Sequence, residues 1–452
     1  MTMLILSPVK KIGFLLAFSL LASCATENDY TEITTEAEDQ ELKSTLIKLS
    51  GSLNYYELPN STDYSKIPAD PKNPITEEKV ALGKLLFHET GIGLDGKTET
   101  NKETYSCASC HHSAAGFQSG IQQGIGDGGM GFGTFGESRI IDPLYTEDMI
   151  DVQPIKSPTV LNVAYQKLML WNGQFGATSK NIGTEANWTE GTPKAVNLLG
   201  FEGIETQAIA GLSVHRMTLD KTFCDSNHYS SLFDKAFPEV AITERYSLIY
   251  AGLAIAAYER TILSTDTNFQ NWIKGDADAM TSDEKKGAIL FFGKAKCYQC
   301  HNGPALNSEE FYALGMKDLE GPNVHGIIDD VTKKGRGGFT NTPSDNYKFK
   351  VPQLYNLTDV HFFGHGGSFT SVRDVINYKN EASKENAEVA ASELSGKFTP
   401  LNLTEEEIDF LTVFIEISLS DKNLNRYVPS TLPTGLCFPN ADPTSREDMH
   451  CN

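Results

Sequence analysis

Apolar residues recur at helical spacing in several separated stretches, with polar and turn-rich sequence between them. Leu42, Leu46 and Leu49 place one apolar stripe on a short helix over 41–49. Thr76-Glu77-Glu78-Lys79 is a helix-start signal, and the apolar run from Val80 to Phe87 follows it. The same pattern returns as Thr281-Ser282-Asp283-Glu284 followed by Gly287 to Phe291. In both copies a Gly and a Phe stand four apart, Gly83 with Phe87 and Gly287 with Phe291, so each pair shares a helical face. Tyr246 to Leu263 is a long, Ala-rich apolar helix that ends in Glu259-Arg260-Thr261. Thr404-Glu405-Glu406-Glu407 is a capping box that opens an amphipathic helix through Leu419. The repeated cap, Gly and Phe predict an internal duplication in an all-α chain. The connecting sequence is long. Tyr55 to Pro74 carries four prolines, and Gly116 to Gly136 is a glycine-rich loop with Phe117, Phe132 and Phe135 in it. We read that loop as backbone that packs closely against a flat ligand face.

The N-terminus changes the picture only at the edge. Lys10 and Lys11 precede an apolar run from Ile12 to Leu21 that is too short for a stable span, and Leu21-Ala22-Ser23-Cys24 resembles a lipobox. This predicts a leader over 1–23, lipid on Cys24 and a cell-envelope location; an ordinary signal peptide is the alternative. Residues 25–39 are acidic and Thr-rich and read as a tether. The net charge of −21 excludes a nucleic-acid partner and leaves the N-terminal lipid as the sole membrane contact.

Two stretches carry chemistry. Cys107-Ala108-Ser109-Cys110-His111 and Cys297-Tyr298-Gln299-Cys300-His301 are each C-x-x-C-H, the signature of c-type haem attachment. Two thiols at this spacing add to the two vinyl groups of one haem, and the adjacent imidazole becomes the proximal iron ligand. A zinc half-site would need further Cys or His at ligand spacing, and a redox dithiol does not need the following His. The duplication then becomes two cytochrome-c-like haem domains with two covalently bound haem c. We expect His111 to donate its Nδ1–H to a carbonyl or carboxylate, and His112 to be an outer or surface residue. Of eight cysteines, one fits the lipobox and four fit haem. Cys437 and Cys451 bracket a short tail and suit a disulfide, and Cys224 would be free; the pairing stays open at this point.

Several further segments, in order, resemble the bacterial diheme cytochrome c peroxidase family, including its MauG-like branch. They are Leu82 to Phe87, Ser157-Pro158-Thr159-Val160-Leu161-Asn162, Trp171-Asn172-Gly173, Tyr258 to Ile262, Phe349 to Asn356 and His365-Gly366-Gly367-Ser368-Phe369. The resemblance runs from about Pro74 to Ser420. It implies a peroxidatic haem domain over 67–275 and an electron-transfer haem domain over 276–428, between a tether and extension at 24–66 and a tail at 429–452. It also implies reduction of hydrogen peroxide with electrons from a small donor protein, a cytochrome or cupredoxin. A homodimer and an inter-domain calcium stay open.

The resemblance carries site residues over one by one. Gln207 matches the family's distal glutamine. The family's distal glutamate falls at Met217, so His215 and Arg216 are the nearest polar substitutes. Trp171 matches the tryptophan that the family places between the haems. The switchable distal histidine would fall near Asp127, and no His occurs between His112 and His215; Met130 is the substitute to weigh there. The first haem is therefore expected to be open without prior reduction. For the second haem the family uses Met or Tyr after the His-x-Gly segment. Tyr378 is the candidate, the alignment being loose by one residue, with His365, His361 and Met316 as competitors. Lys156 stands where the family has a calcium-binding Asn. Two other functions stay open: peroxide-driven oxidation of another substrate, as in the MauG-like branch, and electron transport without catalysis.

Overall fold

The structure is a computed structural model that describes residues 27–451. The expected leader and Cys24 lie outside them. The chain is mostly helical. Among the described residues, strand is confined to two short antiparallel ribbons, Gly129–Met130 against Ile140–Ile141 and Phe311–Tyr312 against Phe349–Lys350.

Helices pack in two groups. In the first, the helix Glu77–His88 begins where the Thr76 hydroxyl accepts the Lys79 N–H, with Glu77 and Glu78 at its positive end. It crosses the helix Leu248–Arg260, which is buried from Ala251 onward. The crossing is close because Gly83 has no side chain: a Cβ there would stand 1.9 Å from the Ala254 carbonyl oxygen. The helix Gly203–Val214 packs on the same partner. Arg260, fully buried, pins the two together with paired bonds to Glu205 at 2.8 and 2.9 Å and a third to Glu202 at 3.0 Å.

The second group repeats the device. The Thr281–Glu284 capping box opens the helix Ser282–Phe292. A Cβ on Gly287 would stand 2.0 Å from the carbonyl oxygen of Phe410, in the helix Glu405–Val413. That helix runs on as one π turn, Phe414–Ser418, toward Leu419.

The tether expected over 25–39 is instead helical from Glu27. It is continuous with the expected 41–49 helix, as Glu27–Ser50. The cause is tertiary. Leu42 and Leu46 are buried, and Asp39 accepts from Trp272 Nε1 at 2.8 Å and pairs with Lys285 at 2.8 Å. The helix thereby docks on Ser282–Phe292. At the other end Cys437 and Cys451 form a disulfide, with Cα atoms 6.0 Å apart. Cys224 is free and buried.

Candidate haem centres and active site

The first motif forms a single 3₁₀ turn, Cys107–Ser109. The hydroxyls of Ser106, just before it, and of Ser109, within it, both donate to the Pro439 carbonyl in the C-terminal tail, at 2.9 and 3.1 Å. Neither Cys107 nor Cys110 is in a disulfide. The glycine-rich loop passes directly over the motif, since a Cβ on Gly124 would stand 2.8 Å from Cys110 Sγ. Burial, with the charge of nearby His215, pushes the His111 imidazole down to about 4. It is neutral at ordinary pH, as an iron ligand must be. Its Nδ1 lacks the hydrogen bond expected for it, although the carbonyls of Phe117 and Pro158 flank the ring. His112 is not at the surface. It is buried, with its ring edge-on to Phe132 at 5.0 Å.

Gln207, Gly211 and His215 follow each other at four-residue intervals on Gly203–Val214 and its cap, so they share one face. A Cβ on Gly211 would stand 3.6 Å from Gln207 Nε2 and 4.0 Å from His215 Cδ2. The glycine keeps an open gap between the two side chains. Gln207 Oε1 is buried and has no partner. His215 Nδ1 lies 2.8 Å from Asp151 Oδ2. Burial alone would lower the His215 pKa, but the charge and hydrogen bond of Asp151 outweigh it, and the net shift is upward. Asp151 sits in an irregular loop with nothing in its sequence to flag it.

Arg216 does not share that face. It adopts a left-handed backbone (φ 56°) and spends its guanidinium on Asp127 and on the Met149 carbonyl. Asp127, at the place of the switchable histidine, is fully buried and bonded to Tyr145, Arg216 and the Lys97 N–H. It has no freedom to reach an iron. Met130 is held in the short ribbon opposite Ile140. Met217, at the place of the family's glutamate, is buried with Sδ 4.0 Å from Cys107 Sγ. A carboxyl does stand near that thiol: Glu259, buried, with Oε2 unpartnered. Burial and then the charge of Glu205 raise it to about 8 against the opposing Arg260. A carboxylate inside an otherwise apolar helix was the signal for it.

The second motif opens onto a cavity of about 430 Å³, within the usual range for cofactor sites. Cys297 and Cys300 are free thiols on its wall. His301 has Nδ1 3.1 Å from the Leu306 carbonyl and 3.0 Å from that of Pro352, which fixes the tautomer and leaves Nε2 as the ligating atom. The fit to haem c is therefore good at both motifs: free thiol pairs, neutral imidazoles, a glycine-cleared approach at one and a large apolar cavity at the other.

Trp171 lines this cavity and joins the two halves. Its Nε1 donates to the Lys156 carbonyl at 2.9 Å, its own carbonyl accepts from the Lys350 N–H at 2.7 Å, and its ring centre is 6.4 Å from that of His365. Lys156 is fully buried with its ammonium on Gln118, and burial pushes it down to about 7. Calcium prefers oxygen ligands, and a lysine in place of the family's Asn offers none. Among the described residues no group of three or more His, Cys, Asp or Glu side chains is placed to hold a metal ion.

Tyr378 does not reach the cavity. Its hydroxyl donates to the Leu314 carbonyl at 2.6 Å, and its ring packs between Phe369 and Phe398. His361 is also elsewhere, stacked on Phe135 at 4.0 Å. Met316, His365 and Lys379 do line the cavity, and sequence reasoning passed over the last of these.

Comparison with known proteins agrees with this geometry. The family model described as di-haem cytochrome c peroxidase matches residues 77–278. A cytochrome-c peroxidase, IdrP1 of Denitromonas iodatirespirans, is 28% identical over 372 residues, covering 77% of this chain and 83% of the relative. Over that stretch the chain is similar to the diheme cytochrome c peroxidases and their MauG-like relatives. The similarity supports a haem peroxidase-type oxidoreductase and implies haem c as its cofactor. The methylamine utilization protein MauG of Methylorubrum extorquens is 26% identical over 353 residues, covering 77% of this chain and 80% of that one. In fold, the chain is similar to a MauG-like protein associated with microbial copper homeostasis, with a TM-score of 0.55 at 22% identity, covering 86% of this chain and 99% of that one. No helix among the described residues is long and apolar enough to cross a membrane.

Proposed function

We propose that this protein reduces hydrogen peroxide to two waters at the first haem site, taking two protons and two electrons. The electrons come from a small redox protein on the periplasmic side and pass from the second haem domain to the first. The observation that carries the reading is the Gln207–Gly211–His215 face beside His111, with His215 backed by Asp151. Haem attached through Cys107 and Cys110 would supply the iron at which the O–O bond is cleaved. Gln207 presents an unpartnered amide oxygen to receive a peroxide O–H. His215 carries a proton between the two peroxide oxygens, and Asp151 orients the ring and favours its charged form. Trp171 offers an aromatic step across the interface.

The experiment is peroxide consumption by the full-length, haem-loaded protein with a reduced small cytochrome as donor. Turnover supports the reading, and peroxide stability in the presence of donor excludes it. One observation favours a second reading. The place of the family's glutamate holds Met217, packed on Cys107 and unable to move protons. That favours slow peroxide-driven oxidation of another substrate, which itself supplies the two electrons, seen as peroxide consumption that depends on that substrate and needs no redox-protein donor.

A further inference from the structure

The helix Val372–Glu381 turns one face to the second cavity, through Val372, Val375, Ile376 and Lys379. These are spaced i, i+3, i+4 and i+7, the apolar stripe of a helix, and the stripe ends in a lysine. Tyr378 is one residue earlier, about 100° round the helix, and its hydroxyl is taken by the Leu314 backbone carbonyl, outside the cavity lining.

Lys379 differs from the other amines of the cavity wall, of which Lys296 is solvent-exposed and the rest are partnered. Lys156 and Lys350 donate to the side-chain oxygens of Gln118 and Gln166. Lys397 donates to the Gln299 carbonyl and the Tyr312 hydroxyl, and Lys333 pairs with Glu388. Among the described residues Lys379 makes no ion pair and no hydrogen bond. Its ammonium stands 5.5 Å from the centre of the Phe398 ring, within electrostatic reach of Cys297, Cys300 and His301. His365, the wall's other nitrogen ligand, is already held. Its Nε2 is 3.3 Å from Asp318 Oδ1, and its ring is stacked on Phe349 at 3.6 Å. An unpaired ammonium facing an apolar cavity is costly. A primary amine facing a metal is not, since it offers a lone pair once its proton has gone to bulk water.

We propose that Lys379 is the second axial ligand of the haem attached at Cys297, Cys300 and His301, so that this iron lies between an imidazole and a primary amine. This rests on the reading that haem occupies the cavity. Two strong nitrogen ligands keep that iron low-spin and closed to peroxide, and give it a lower potential than a thioether would. The helix delivers the ligand one position after the tyrosine.

The test uses the full-length holoprotein. A pyridine haemochrome count comes first: two haems per chain supports the underlying reading, and one haem per chain overturns both. Near-infrared magnetic circular dichroism and EPR of the oxidised protein then identify the ligand pair. The expected result is a low-spin haem with an amine–imidazole charge-transfer band. Lys379→Met moves that band to the thioether position and raises the potential, Lys379→Ala gives a high-spin iron that binds added imidazole, and Met316→Leu changes nothing. A thioether band in the unaltered protein overturns the proposal in favour of Met316, whatever the variants do. A Lys379→Ala protein that keeps the original low-spin spectrum overturns it in favour of a lysine that only pairs with a haem carboxylate.

Discussion

His215 Nδ1 and Asp151 Oδ2 meet at 2.8 Å across 64 residues of chain, and Asp151 favours the protonated form of the imidazole. With Asp151 present the imidazole titrates above its ordinary value of 6.5 despite burial. Because the folded-state pKa is the higher one, the pair's stabilisation is complete below the unfolded value and is lost as pH rises through the folded value. His215→Ala should cut peroxide turnover by about 10²–10⁴, the usual worth of a positioned acid–base group. Asp151→Asn leaves burial unopposed, so the limb of the pH–rate profile due to protonated His215 should move to lower pH. A His215→Ala protein with intact haem absorbance and full turnover would refute the role.

Asp127 gives the second prediction. A carboxylate locked by Tyr145, Arg216 and the Lys97 N–H leaves the first iron without a switchable ligand. EPR of the oxidised protein should show one high-spin haem, and peroxide should react before any reduction. Two low-spin haems at rest would contradict this.

Gly83 and Gly287 occupy equivalent places, each beneath a carbonyl of the crossing helix, at 1.9 and 2.0 Å from a virtual Cβ. Gly83→Ala and Gly287→Ala should each cost about 1–3 kcal/mol, the usual range for overpacking. Denaturant unfolding measures it. A neutral result at either site would mean that the helices slide apart freely there.

These glycines show what was legible in the sequence and what was not. Motifs that work within a few residues could be read directly: the two C-x-x-C-H turns, the Thr76 and Thr281 caps, and the four-residue Gly–Phe spacing. Residues whose role depends on distant partners could not. Asp151 matters only because the chain brings it to His215. The acidic segment after Glu27 docks as helix because Leu42 and Leu46 are buried and Trp272 and Lys285 receive Asp39. Tyr378 and Lys379 are adjacent in sequence, and only helix phase decides which one faces the cavity.

Lys156 predicts independence from calcium. Its buried amine, held by Gln118, stands at the position where the resemblance would place a calcium-binding Asn, and it offers no oxygen ligand. A strong chelator should leave both Tm and peroxide turnover unchanged. A chelator-induced drop that added calcium reverses would overturn this.

The C-terminal tail acts as a brace for the first haem motif. The Pro439 carbonyl takes both hydroxyls that flank Cys107, Asp442 accepts from the Gly131 N–H, and Asp448 accepts from those of Phe132 and Gly133. The Cys437–Cys451 bridge closes a short loop, with a sequence separation of 14, around these contacts. A loop of that size is worth about 3 kcal/mol through restriction of the unfolded chain. Replacing both cysteines by serine should lower stability by about that amount. It should also broaden the absorbance and EPR signals of the first haem while leaving those of the second unchanged, because the tail's bonds to a C-x-x-C-H motif are at Ser106 and Ser109. Equal disturbance of both haems would show that the bridge acts on global stability alone.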